Sequence, residues 1–148
     1  MIIPDSVTTI GDSAFSWCSS LTSVEIGDGI TSIDEYAFCG CDSLTSVVMG
    51  DSVTTIGNNA LRDCRSLTSV EIPDSVTTIG EYAFGEYTNL TSVYYKGTAE
   101  EWAGITINFS NGALTNATRY YYIENEADVP TDGGNYWHYD ENGEIAVW

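Results

Sequence analysis

Apolar residues recur along the first two thirds of the chain at a fixed step of 23 positions. Val7, Ile30, Val53 and Val76 fall in one register, Ile10, Ile33, Ile56 and Ile79 in a second, and Ala14, Ala37, Ala60 and Ala83 in a third. Phe15, Phe38, Leu61 and Phe84 follow, then Cys18, Cys41, Cys64 and Tyr87, then Leu21, Leu44, Leu67 and Leu90. Val24, Val47, Val70 and Val93, with Ile26, Met49, Ile72 and Tyr95, complete the unit. A period of this length marks stacked repeats, each too small to bury its own apolar face and stable only between neighbours.

The pattern inside a unit predicts its elements. Leu21-x-x-Val24-x-Ile26 alternates as a short strand does, turning Val24 and Ile26 inward and Ser23 and Glu25 outward. The β-branched run Val7 to Ile10 predicts a second strand-like side. Between the two, Asp12 to Cys18, with Ala14 and Phe15 inward, reads as one helical turn. Four coils stacked as a parallel sheet at about 4.8 Å each stand roughly 20 Å tall.

After Lys96 the period dissolves, which divides the chain into a solenoid over 1–97 and a C-terminal cap over 98–148. The cap is aromatic: residues 94 to 148 hold 11 of the 18 Phe, Tyr and Trp side chains. Thr98-Ala99-Glu100-Glu101 reads as a capping box that opens a short helix, and its Trp102 is placed to cover the last coil. Ile105 to Ile107, Thr118 to Ile123, Tyr136 to Tyr139 and Glu144 to Trp148 read as strands. The last two are joined as a hairpin at Asp140-Glu141-Asn142-Gly143, and Glu124 to Asn135 reads as a loop. At the other end, Ile3-Pro4-Asp5 aligns with Ile72-Pro73-Asp74, inside a coil. Met1 therefore reads as the start of a fragment, with an open coil edge able to template self-association.

Units reading Ile72-Pro73-Asp74-Ser75-Val76-Thr77-Thr78-Ile79-Gly80, on through Ala83-Phe84 to Leu90-Thr91-Ser92-Val93, resemble the 23-residue, Treponema-type BspA-like class of leucine-rich repeats. The resemblance covers residues 3 to about 95. Gly27 and Gly50 depart from it at the turn proline, Leu61 at the Phe and Tyr87 at the Cys, all tolerable in a turn or core. It implies a right-handed, non-enzymatic solenoid on secreted or surface proteins of bacteria, one that engages a protein or glycan on a host or neighbouring cell. That places the expected localisation outside the cell or at its surface.

Charge narrows the partners. Against 22 Asp and Glu stand only Arg62, Arg65, Lys96 and Arg119, for a net of −18. Such a surface repels nucleic-acid phosphates and anionic lipid, and no stretch approaches the roughly 20 apolar residues of a membrane span. Cation attraction and partners with basic patches remain.

The chemistry-bearing residues mostly have plainer uses. His138 is the only histidine and has no nucleophile motif beside it, so it reads as a hairpin residue. Cys18, Cys41 and Cys64 share one inward rung and read as free apolar thiols, and Cys39-Gly40-Cys41 lacks zinc spacing. Asp5, Asp28, Asp51 and Asp74 form a ladder at the turn after each strand. Each closing its own turn is the favoured reading, and recruitment of Ca²⁺ is the alternative. No cofactor is expected.

Outward strand positions alone are free of packing duty and differ between coils: Ser23 and Glu25, Ser46 and Val48, Ser69 and Glu71, Ser92 and Tyr94. These eight are the expected binding face of an adhesion module. Two other functions stay open. One is a plain structural stalk. The other is cell-wall or carbohydrate attachment through Asn135 to Gly143, which resembles one hairpin of the choline- or glucan-binding repeats.

Overall fold

The structure is a computed structural model that describes residues 1–85 and 88–148. The expected place of Tyr87 on the cysteine rung lies outside the described residues. In chain order the strands are β1 (Ile2–Ile3), β2 (Ser23–Ile26), β3 (Ser32–Ile33), β4 (Ser46–Val48), β5 (Thr55–Ile56), β6 (Ser69–Ile72), β7 (Thr78–Ile79) and β8 (Ser92–Tyr95). Helix α1 (Ala99–Ala103), β9 (Thr106–Ile107), α2 (Gly112–Asn116), β10 (Thr118–Tyr122), β11 (Tyr136–Tyr139) and β12 (Ile145–Val147) complete the chain.

The larger sheet has the order β1-β2-β4-β6-β8-β10-β11-β12 and the smaller β3-β5-β7-β9. Every pairing is parallel except β11 with β12, and the register follows the repeat: Ser23 faces Ser46, Ser69 faces Ser92 and Thr55 faces Thr78. This is the coil stack the 23-residue period predicts. Threonine hydroxyls add a ladder beside the strands: Thr45 donates to the Thr22 carbonyl, and Thr54 to that of Thr31.

The third side of each coil differs in detail from a helical turn. In residues 13–18 the N–H groups of Ser13, Phe15 and Trp17 donate to the carbonyls of Glu35, Ala37 and Cys39 in the next coil. Those of Ala14, Ser16 and Cys18 close tight turns within their own coil. A helix would direct every bond along its own axis; here alternate amides are exported instead. The geometry requires left-handed backbone at Ser13, Trp17, Tyr36, Asn59 and Asp63, and Gly40 takes it at φ 71°. A Cβ on Gly40 would also stand 2.4 Å from the Trp17 ring, so glycine is fixed there by both conformation and space.

Inside the stack lie the rungs expected from the period, with Ile30, Ile33, Phe38, Leu44, Val53, Ile56, Leu61, Leu67, Ile79 and Phe84 all removed from solvent. The equivalent Val7, Phe15, Cys18 and Leu21 of the first coil are only partly buried, because they have a neighbour on one side alone. Cys41 and Cys64 donate to the carbonyls of Phe15 and Phe38 at 3.2 Å, and all four cysteines are free thiols. Burial pushes Cys41 up to about 11 and Cys64 to about 12, which keeps both protonated and unreactive.

Both sheets run through the sequence boundary at 97. β9 continues the smaller sheet beside β7, and β10 continues the larger beside β8, with Thr118 facing Ser92. The change at 97 is therefore one of filling, not of architecture. The capping box forms as expected: Glu101 N–H donates to Thr98 Oγ1 and Thr98 N–H to Glu101 Oε2. Trp102 packs edge-on against Tyr95 at 5.2 Å, with the Arg119 guanidinium 4.6 Å from its ring.

The coil after β8 is shorter on its turn side, and Asn111 replaces what is missing. Phe38 and Leu61 each donate to a backbone carbonyl of the following coil, but Phe84 N–H donates to Asn111 Oδ1 at 2.9 Å. The Asn111 amide donates in turn to the carbonyls of Gly80 and Asn108, both at 2.8 Å. This buried side chain, 3% exposed, plugs the end of the hydrogen-bond column.

Candidate functional site

Strand alternation places Ser23, Glu25, Ser46, Val48, Ser69, Glu71, Ser92 and Tyr94 on the outward parity of the larger sheet. They do not share one environment. Ser23, Glu25 and Val48 are exposed, while Ser46, Ser69 and Ser92 are half-buried. Glu71 is 4% exposed, and Tyr94 stacks on Tyr120 at 5.1 Å and meets Trp137 edge-on at 5.7 Å. The expected face therefore loses Glu71 and most of Tyr94 as free surface.

The cause is the C-terminal hairpin. β11 joins the sheet parallel to β10, and its Trp137 and Tyr139 side chains reach Tyr94 of β8 and Glu71 of β6 on the outward face. Trp137 is fully buried there, donating its indole N–H to the Tyr95 carbonyl at 2.9 Å and meeting Tyr122 and Tyr139 edge-on. The Tyr139 hydroxyl donates to Glu71 Oε1. A signal for this was present in the sequence. Tyr94, Tyr120, Tyr122, Trp137 and Tyr139 all fall on the outward parity, where a solvated sheet needs no aromatic run.

Lys96 organises the polar side of this contact. Its Nζ lies 2.8 Å from Asp51 Oδ1, 3.2 Å from Glu71 Oε1 and 5.9 Å from the centre of the Tyr139 ring. Burial alone would lower the lysine's pKa, but the bond to Asp51 and the charge of Glu71 outweigh it and hold the ammonium above its ordinary value. Burial and the bond to Glu71 likewise raise the Tyr139 phenol. Glu71 is thus a buried acid held by one cation and one hydroxyl.

The aspartate ladder behaves differently from the expectation that each closes its own turn. Asp5 Oδ1 accepts from the Asp28 amide at 3.0 Å and Asp28 Oδ1 from the Asp51 amide at 2.7 Å, so these two carboxylates reach across to the next coil. The ladder ends where Asp51 meets Lys96. For the Ca²⁺ alternative, no group of three acidic, His or Cys side chains among the described residues is arranged to hold a metal. Asp74 is exposed and lines a cleft of about 310 Å³ with Asp51, Lys96, Tyr122 and Tyr139. A second, shallower cleft of about 210 Å³ shares Asp51 and Lys96 and runs past Asp28 and Val48 toward the first coil.

In the hairpin itself, Asp140 Oδ1 accepts from the amides of Asn142 and Glu144, which holds its carboxyl below the usual range. His138 stacks on Trp148 at 3.7 Å.

Stacked coils with an inner strand ladder, a small second sheet and a core of repeated Leu, Ile and Val define a leucine-rich-repeat solenoid. The family model for the BspA type leucine rich repeat region matches residues 1–115 in six copies. The chain belongs to that family. It is similar to the crystal structure of a leucine rich cell surface protein from Faecalibacterium prausnitzii A2-165, at 28% identity and a TM-score of 0.57, over 99% of this chain and 44% of that one. It also shares its fold with the pneumococcal vaccine antigen PcpA, at 15% identity and a TM-score of 0.52, over 85% of this chain and 36% of that one. The chain thus spans less than half the length of either structure. No curated protein matches it.

Proposed function

We propose that the chain is a non-catalytic recognition module of a bacterial surface or secreted protein, binding a macromolecule on a host or neighbouring cell. The observation that carries this reading is the uncovered outward face of β2 and β4. Ser23, Glu25 and Val48 have neither packing nor ladder duty there, whereas the same face over β6 and β8 is closed by the molecule's own hairpin. An exposed valine between acidic and hydroxyl side chains, on a backbone held rigid from both sides, suits specific contact at low ordering cost. The similarity to a cell surface protein supports the location.

The reading of the hairpin as a self-standing attachment repeat is weakened by the same geometry, since its Trp137 is buried against the sheet with its indole N–H donated to the Tyr95 carbonyl. The test is adhesion of beads coated with the chain to epithelial monolayers. We expect saturable attachment that Val48→Arg reduces tenfold or more with an unchanged melting temperature. Attachment that never saturates, or is indifferent to Val48→Arg, returns the chain to the role of a stalk.

A further inference from the structure

We propose that the cleft between the hairpin and the coil edge, lined by Asp51, Asp74, Lys96, Tyr122 and Tyr139, is a subsite for a neutral sugar. A glycan chain would extend from it along the shallower cleft past Asp28. The inference rests on the recognition reading above and gives it a ligand class.

Elimination by charge comes first. Phosphate, sulfate or carboxylate ligands meet Asp51, Glu71 and Asp74 around a single cation, on a chain of net charge −18. A cationic ligand loses the seat between Asp51 and Glu71 and over the Tyr139 ring to Lys96, whose own charge opposes a second cation beside the exposed Asp74. A purely apolar ligand would have to strip water from two exposed carboxylates.

A polyhydroxylated neutral ring suits what remains. Each sugar hydroxyl can donate to a carboxylate oxygen and accept from an ammonium in the same cleft, and its C–H face can lie on a tyrosine. The site is also pre-formed. Lys96 is pinned by two carboxylates, Tyr139 by Glu71, and both tyrosines rest on buried Trp137, so little side-chain freedom remains to be lost. Finally, the shallower cleft runs across successive coils at about 4.8 Å per step, close to the advance of one pyranose unit in an extended glycan.

The experiment is calorimetric titration of the whole chain with maltohexaose, cellohexaose and chitohexaose, with a heparin hexasaccharide and hexalysine as charged comparisons. Asp74→Arg, a change at an exposed side chain that fills the cleft, is titrated in parallel and checked by thermal melting. We expect at least one neutral hexasaccharide to bind saturably and to lose tenfold or more in Asp74→Arg, while neither charged probe binds as tightly. Absence of binding by all three neutral sugars, equal binding by Asp74→Arg, or tighter binding of hexalysine each overturns the subsite. Bead attachment that survives Asp74→Arg but fails in Val48→Arg would then leave the recognition reading standing without it.

Discussion

At the scale of single residues, the side chains that matter most are polar groups placed where the repeat runs out. Asn111 satisfies the Phe84 amide and the carbonyls of Gly80 and Asn108 with one buried amide, so its removal leaves the buried Phe84 amide and the Asn108 carbonyl without their partner, while the Gly80 carbonyl keeps its bond from the Ala83 N–H. Unpaired buried groups each cost on the order of 1–3 kcal/mol, partly relieved by water entry. We expect Asn111→Ala to lower stability by about 2–3 kcal/mol in denaturant titration, whereas Asn108→Ala, at an exposed site, lowers it far less. Neither Asn111 nor the burial of Glu71 was legible in the sequence. Asn111 sits outside the 23-residue register, and Glu71 occupies the same position as the exposed Glu25. What separates Glu71 from Glu25 is a tyrosine 68 residues further on, and a periodic pattern carries no information about such a contact.

Among the elements, the coils and the hairpin are held by different chemistry. Coil strands, their register and the capping box of α1 follow from alternation and local caps, and so were readable directly. The turn side was readable in its inward residues but not in its backbone, since exported amides at Ser13, Phe15 and Trp17 leave no mark in side-chain pattern. The hairpin was readable as a hairpin through Asp140 and Gly143, while its docking on the sheet left only the outward aromatic run as a signal and no indication of the partner strands. That docking is pH-sensitive in a defined direction. Lys96 and Tyr139 both titrate above their ordinary values of 10.5 and 10.0 in the folded chain. Their contribution is therefore complete below those values and is lost as pH rises through the folded ones. We expect Trp137 fluorescence to stay constant from neutral pH to about 10 and to report hairpin release above it. Tyr139→Phe should lower stability at neutral pH by about 1–3 kcal/mol and flatten the alkaline step. A fluorescence change centred near neutral pH would contradict the assignment.

For the whole molecule, the two ends of the stack are unequal. The core of the stack is closed at the C-terminal end by Trp102, Leu114 and Asn111, whereas β1 has an unpaired edge beside Ile2, 72% exposed, and Trp17, 67% exposed; β12, the other unpaired edge of the larger sheet, lies beside the less exposed Ile145 and Val147. Unpaired strand edges flanked by apolar side chains associate. Light scattering of the chain beginning at Met1 should show mass rising with concentration, and Ile2→Lys should hold it at one chain. A constant monomeric mass at high concentration would remove the edge from consideration. The exported amides of the turn side carry a different consequence. Because each of the first three coils hands three donors to the next in the same pattern, a unit of this kind can follow another without leaving a group unmatched. A slipped duplication of one 23-residue unit would fold as readily as the parent, and so would its loss. The length of such a protein, and with it the reach of its groove, is free to drift by unequal recombination within a lineage while the Asn111 plug and the hairpin travel unchanged at the end.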